Sequence, residues 1–134
     1  MEFEQLKIGQ SYAMSRIFTQ QDVKAFAMLS YDLNPLHMDA DYARTTRFGQ
    51  LIVPGFLTAS MFSAIIGTKF PGEGTIYLSQ NMSFWKPVFP DREVVAEVTV
   101  KELYPSKRRA LLETCCYDEN RELLISGTAL VKMP

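Results

Sequence analysis

The segment YDLNPLH, residues 31–37, places an acid and the only histidine of the chain on either side of a proline. Asp32 precedes His37 by five residues, and Pro35 lies between them. Because proline disfavours a helical conformation in the residue before it, the chain can turn back there and bring both side chains to one small volume. A carboxylate and an imidazole that face each other can hold one water molecule, and each can accept or donate a proton. Asn34 can support such a loop by hydrogen-bonding a carbonyl or the water.

Spacing alone leaves a structural interpretation of these residues open. A single histidine in a loop is more often a surface or structural residue than a catalytic one. The pattern Asp-x-Asn-Pro is also typical of a simple turn. The segment therefore indicates an acid–base pair at Asp32 and His37 without excluding a turn that has no chemistry.

A second candidate group is the backbone amide of Gly55, in the sequence IVPG. It opens an apolar segment, residues 54–70, that we predict to be a helix. The first N–H groups of a helix lack intrahelical partners and lie at the positive end of its dipole. Glycine lets another group approach such an amide closely, so Gly55 can form an oxyanion hole. The alternative is that this glycine only begins a tightly packed helix.

The elements before this segment are predicted to be one strand and one helix, followed by an irregular stretch. Residues 11–18 alternate loosely and favour a strand. Thr19 is a typical N-cap, and Asp22 places a carboxylate in the first turn of the helix that follows. That helix must end before Pro35, and a short helix is predicted within residues 39–46.

The central apolar segment is predicted to be a helix that is buried on every side. It contains no charged residue before Lys69. Pro54 suits the first helical position, where its missing N–H would have no partner. Pro71 and Gly72 end the helix.

The second half of the chain is predicted to form antiparallel strands, because its connections are too short for parallel crossovers. Apolar and polar residues alternate most clearly from Glu93 to Lys101, and the DEN sequence at residues 118–120 favours a hairpin turn. The predicted strands are residues 75–86, 93–101, 108–117 and 121–133.

These elements predict an α+β fold over one domain, residues 1–134: an antiparallel sheet wrapped around one long central helix, which is the hot-dog fold. One sheet around one helix leaves an edge strand and an open side. A second copy of the chain would cover both, so we expect a homodimer.

Composition excludes several classes of protein. The net charge of −1 gives no reason to expect nucleic acid, and no apolar run is long enough for a membrane span. The charged start of the chain lacks an apolar signal core, which favours a cytoplasmic protein. One histidine and the adjacent Cys115 and Cys116 do not match zinc-site spacing, so we predict no metal and no cofactor. Both thiols should be reduced, with one of them packed inside.

Three runs carry a resemblance to a known family: SYDLNPLHMDADYA, FGQLIVPGFLTASMFSAIIG and GTIYLSQNMSFWKPV. Nearly the whole chain resembles the MaoC-like hot-dog hydratases, and more narrowly the (R)-specific enoyl-CoA hydratases. The resemblance implies that Asp32 and His37 are the catalytic pair, that Gly55 supplies the oxyanion amide, and that Asn34 supports the site. The family usually has glycine where this chain has Tyr31, and histidine where it has Pro54.

The resemblance also implies a reaction, the reversible addition of water to a trans-2-enoyl-CoA to give the (R)-3-hydroxyacyl-CoA. The substrate is then an acyl-CoA, or an acyl group on acyl carrier protein. The acyl tail is expected against the central helix near Met61, Ser63 or Ile66, with Ser63 as a polar neighbour of the site.

Two other functions on the same fold stay open as alternatives. Acyl-CoA thioesterases with this fold commonly use a carboxylate on the central helix, and residues 54–70 contain none. A non-catalytic acyl-binding module is the other alternative, and the presence of Asp32, Asn34 and His37 argues against it.

Overall fold

A five-stranded antiparallel sheet forms the body of the protein. The structure is a computed structural model that describes residues 1–134. The strands stand in the order β1-β3-β4-β5-β2, so β1 and β2 are the two edges. The sheet confirms the α+β prediction and all of the predicted strands. Their bounds are β1 Ser11–Ile17, β2 Ile76–Phe84, β3 Glu93–Tyr104, β4 Arg109–Asp118 and β5 Leu123–Lys132.

Four helices accompany the sheet: α1 Gln20–Ser30, α2 Pro35–Met38, α3 Ala40–Arg44 and α4 Gly55–Thr68. The predicted N-cap of α1 is confirmed, because Thr19 Oγ1 accepts a hydrogen bond from the Asp22 N–H at 3.2 Å. The Asp22 carboxylate in turn accepts from the Thr19 N–H at 2.9 Å. This bond from the Thr19 backbone lowers the pKa of Asp22. No helix of the structure is long and apolar enough to cross a bilayer.

The central helix α4 departs from its prediction in two ways. It is buried on one side only, because the sheet covers one side and leaves Phe56, Ser60 and Ser63 exposed. Burial on every side is therefore wrong for the single chain. Pro54 is also the N-cap rather than the first helical residue, since its ψ of 134° is extended while its carbonyl accepts the first helical hydrogen bonds.

The core lies between α4 and the concave face of the sheet. The alternation predicted for β3 is confirmed, with Val94, Ala96, Val98 and Val100 all buried. They belong to one cluster of 24 buried apolar residues that also contains Phe62 and Ile65 of α4. Burial of this face fixes the register of β3.

A very close backbone approach joins β5 to the edge strand β2. A Cβ atom on Gly127 would lie 1.9 Å from the carbonyl oxygen of Asn81, so only glycine fits there. The Asn81 side chain donates to Thr128 Oγ1 at 2.7 Å and accepts from the Thr128 N–H at 3.2 Å. Gly127 therefore sets how closely β2 packs against the rest of the sheet.

Both cysteines are buried, whereas the sequence predicted one buried thiol. Cys116 is fully buried in the core and Cys115 is 8% exposed. Burial raises the pKa of Cys116 to about 12 and also raises the pKa of Cys115. Both are free thiols.

The cysteines should therefore resist alkylation in the folded protein. At pH 8, iodoacetamide is expected to label neither thiol within the time that labels both in urea, because burial disfavours the reactive thiolate. Mass spectrometry of the intact chain measures this directly. Labelling of Cys116 in native buffer at the unfolded-state rate would contradict the structure.

Candidate active site

The connector after α1 is shaped by the hydroxyl of Ser30. Ser30 Oγ donates to the carbonyl of Phe26 at 2.7 Å and accepts from the N–H of Asp32 at 3.1 Å. Between them, Tyr31 is the C-cap of α1 in the left-handed region, with φ of 62°. This local turn ends the helix before the proline.

Asn34 then begins the next helical turn. Asp32 Oδ1 accepts from the Asn34 N–H at 3.2 Å, and Asn34 Oδ1 accepts from the Leu36 N–H at 3.0 Å. Pro35 occupies the first position of α2, where its missing N–H costs nothing. The expected supporting role of Asn34 thus takes the form of an N-cap that places His37 in the single turn of α2.

His37 is held by its ring as well as by its backbone. The side chain is 8% exposed, and Nδ1 lies 2.8 Å from the carbonyl oxygen of Ile52. A carbonyl can only accept a hydrogen bond, so Nδ1 must carry a hydrogen. In the neutral ring, Nε2 is therefore the nitrogen with the free lone pair.

A cavity of about 350 Å³ brings together Asp32, His37 and Gly55. Asp32 is half-buried and is the only acid on the cavity wall. The remaining wall is largely apolar, with a buried floor and an exposed rim of aromatic side chains and two cations. It comprises Arg47, Phe48, Ile52, Val53, Pro54, Phe56, Phe84, Trp85, Lys86, Pro87, Val88 and Ile125.

Gly55 stands at this wall as the first residue of α4. Its N–H has no acceptor one turn earlier within the helix, so it remains available to a ligand. A Cβ atom here would lie 2.5 Å from the ring of Phe84. The segment before the helix is fixed by the Val53 N–H, which donates to the carbonyl of Val88 at 2.7 Å. Glycine at this position therefore leaves room for the ring of Phe84 to pack against the start of α4.

Ser63, the other residue expected to support the site, is exposed and does not line the cavity. It follows Gly55 by eight residues, which places it about 12 Å along the helix and about 80° around it. Met61 and Ile66 are buried in the core and also do not line the cavity. The acyl-tail position expected at these residues is not part of the cavity in the single chain.

The sequence reasoning missed the walls that β2 and its following loop supply. Phe84 and Trp85 lie at the end of β2, and Trp85 is fixed by its indole N–H, which donates to Ser126 Oγ at 2.9 Å. The sequence predicted the strand β2 itself. It did not predict the strand order, which places β2 at the sheet edge beside the start of α4. No group of three or more His, Cys, Asp or Glu side chains is arranged to hold a metal ion.

The left-handed backbone conformation of Tyr31 destabilises the folded protein, and glycine at this position should relieve the strain. The side chain is 86% exposed, so removing it loses little packing. A Cβ atom at φ of 62° costs about 1–2 kcal/mol, of which the greater flexibility of unfolded glycine cancels part. Tyr31→Gly is therefore expected to raise the free energy of unfolding by about 0.5–1 kcal/mol in urea denaturation.

Tyr31→Ala is the matched control for this prediction. Alanine also removes the ring but keeps the Cβ atom, so no gain is expected. Equal stability of the two variants would show that the left-handed conformation is not the source of the cost.

Comparison with known proteins identifies the family of the chain. The family model for the MaoC-like domain matches residues 3–115. An (R)-specific enoyl-CoA hydratase of Aeromonas caviae is 45% identical over 134 residues, which is all of both chains. The solved structure of an (R)-hydratase from A. caviae involved in PHA biosynthesis is 45% identical and superposes with a TM-score of 0.95, covering 98% of this chain and 99% of its own.

A plant protein shows the breadth of these relatives. The mitochondrial 3-hydroxyacyl-acyl-carrier-protein dehydratase of Solanum lycopersicum is 39% identical over 131 residues, covering 96% of this chain and 78% of its own. The chain belongs to the MaoC-like domain family, and its sheet and central helix form a hot-dog fold.

Proposed function

We propose that the protein is an (R)-specific enoyl-CoA hydratase, which adds water reversibly to trans-2-enoyl-CoA. The observation that carries this proposal is that Asp32, His37 and the first residue of α4, Gly55, line the same cavity. The names of the relatives support the substrate class and the (R) configuration. The reaction is that of a hydro-lyase.

The amide of Gly55 activates the substrate. Its N–H has no hydrogen-bond acceptor within the helix and lies at the positive end of the α4 dipole. A thioester carbonyl bound there is polarised, which makes C3 of the conjugated alkene electrophilic. The negative charge that builds on the carbonyl oxygen during attack is stabilised by the same N–H.

Asp32 and His37 move the protons. The Asp32 carboxylate takes one proton from the water whose oxygen bonds to C3, while Nε2–H of protonated His37 delivers a proton to C2. Transfer of the proton from Asp32 back to Nε2 then restores the pair, so one water is consumed and no other reagent is needed. The Ile52 carbonyl accepts from Nδ1–H throughout, so the ring keeps its orientation.

One continuous core supports a single domain over residues 1–134, and the exposed side of α4 together with the edge strand β2 supports a homodimer. Two buried free thiols fit a reducing cytoplasm. We propose no nucleic-acid or membrane partner, and a substrate carried on CoA or on acyl carrier protein.

The test is an assay with crotonyl-CoA that follows absorbance of the conjugated thioester and free thiol together. Loss of absorbance without thiol release, with the (R)-3-hydroxy product on chiral chromatography, is the expected result. Thiol release would indicate the thioesterase alternative, for which the cavity offers only Asp32 as a carboxylate. No reaction would indicate the acyl-binding module and overturn the proposal.

A further inference from the structure

A side chain outside the cavity holds the backbone of His37. Gln20, the first residue of α1, donates from Nε2 to the carbonyl oxygen of His37 at 2.8 Å. The bond is partly buried and joins residues 17 positions apart. It therefore connects α1 to α2 by a hydrogen bond between elements that are distant in sequence.

The orientation of this amide follows from chemistry. A carbonyl oxygen cannot donate, so the nitrogen of the Gln20 amide must face the carbonyl of His37. The other end of the amide, Oε1, is buried and has no hydrogen-bond partner in the protein.

The turn that carries His37 needs support from outside. The helix α2 spans four residues, Pro35–Met38, which is too short to be stable by itself. Four hydrogen bonds anchor it: the Asn34 cap at its start, the Ile52 N–H to the Leu36 carbonyl at 3.4 Å, the His37 ring to the Ile52 carbonyl, and Gln20 to the His37 carbonyl. Of these, only Gln20 acts on the backbone of His37 itself from a separate helix.

Gln20 is itself held in place. It directly follows Thr19, whose reciprocal hydrogen bonds with Asp22 fix the first turn of α1. The fixed start of α1 thus determines where the His37 carbonyl lies. With the backbone fixed there and Nδ1 fixed at Ile52, Nε2 can face only a narrow region of the cavity.

We propose that Gln20 is a positioning residue that aims the imidazole of His37, acting through the backbone and never touching the substrate. This inference rests on the proposed function, in which Nε2 of His37 transfers a proton. If Gln20 orients the ring, the first turn of α1 is one of the elements that determine the position of His37 Nε2 in the cavity. The reaction needs the donor at Gln20 Nε2 and not merely a side chain that fills the space.

The test uses two substitutions of Gln20 and the same two at Gln21, its exposed neighbour. Gln20→Glu keeps the shape but replaces the donor with an acceptor, and Gln20→Met removes both. We expect kcat for crotonyl-CoA to fall about tenfold in both variants with KM nearly unchanged, because a small misplacement of a reacting group slows the chemical step. Gln21→Glu and Gln21→Met should match the wild type.

A second measurement does not depend on activity. His37 is the only histidine, so uniformly ¹⁵N-labelled protein gives one set of imidazole nitrogen resonances. The Gln20 variants are expected to shift or broaden these resonances while the urea midpoint stays near that of the wild type. The Gln21 variants should leave them unchanged.

Each outcome has a distinct meaning. Unchanged kcat and unchanged imidazole resonances in both Gln20 variants would overturn the proposal. A lower urea midpoint with a proportional loss of active sites would also overturn it, because it would show a purely structural role. If the wild type does not hydrate crotonyl-CoA, the proposed function fails, and the resonances alone decide whether Gln20 orients the ring.

Discussion

Asp32→Asn is expected to reduce kcat for hydration of crotonyl-CoA by about 10² to 10⁴, the range that positioned acid–base groups contribute. Asparagine keeps the size of the side chain and can still accept from the Asn34 N–H, so the connector should hold its shape. What it loses is the ability to take a proton from water. The effect should therefore fall on kcat, with little change in KM or in the urea midpoint.

Asp39→Asn is the matched control for that substitution. Asp39 is exposed, lies on the same segment and caps α3, a role that asparagine also performs well. Its activity should equal that of the wild type. If Asp32→Asn lowered kcat by less than about fivefold, the loss would be much smaller than the roughly 10²-fold minimum expected on removing a general base, and Asp32 would not be the base.

Gly127→Ala is expected to produce the largest loss of stability, about 3 kcal/mol or more. The added methyl would meet the Asn81 carbonyl at 1.9 Å, and that atom is backbone, so the strand must move rather than a side chain. Separation of β2 from β5 would also displace Phe84 and Trp85 from the cavity wall. Urea denaturation measures the first effect, and KM for crotonyl-CoA at low temperature measures the second.

Gly67→Ala provides the opposite case. Gly67 lies within α4, and nothing is within 4 Å of the position where its Cβ would stand. Alanine in a helix is favoured over glycine by about 1 kcal/mol, so this variant should be slightly more stable than the wild type. Because the same Gly→Ala substitution is expected to lower stability at one position and raise it at the other, the comparison shows that the loss at Gly127 comes from the steric clash. Gly127→Ala with wild-type stability would contradict the approach of β2 to β5.

The sequence predicts this protein well wherever the determining contacts are local. The cap at Thr19, the break before Pro35 and the alternation in β3 all depend on neighbouring residues, and the structure confirms them. Asp32, Asn34 and His37 could be grouped from the sequence for the same reason, since they lie on one short turn. Gly55 was identifiable because it opens an apolar helix.

The features that the sequence did not predict depend on distant contacts. Phe84 reaches the wall only because β2 lies at the sheet edge next to the start of α4, which no local pattern specifies. Ser63 was misplaced because hydropathy gives no rotational phase for a helix that is apolar nearly all round. The prediction that α4 is buried on every side was wrong for the single chain, because an apolar composition does not specify which face of the helix the sheet covers.

The hydrogen bond between His37 Nδ1 and the Ile52 carbonyl has a consequence for isotope exchange. With Nδ1 occupied, a hydrogen atom that leaves C2 of a substrate can pass to solvent only by way of Nε2. In the proposed mechanism, that atom can pass from Nε2 to Asp32, a half-buried carboxylate that exchanges a proton with the ring in every cycle, and from there to water. Deuterium at C2 should therefore wash out into water as the alkene and alcohol interconvert.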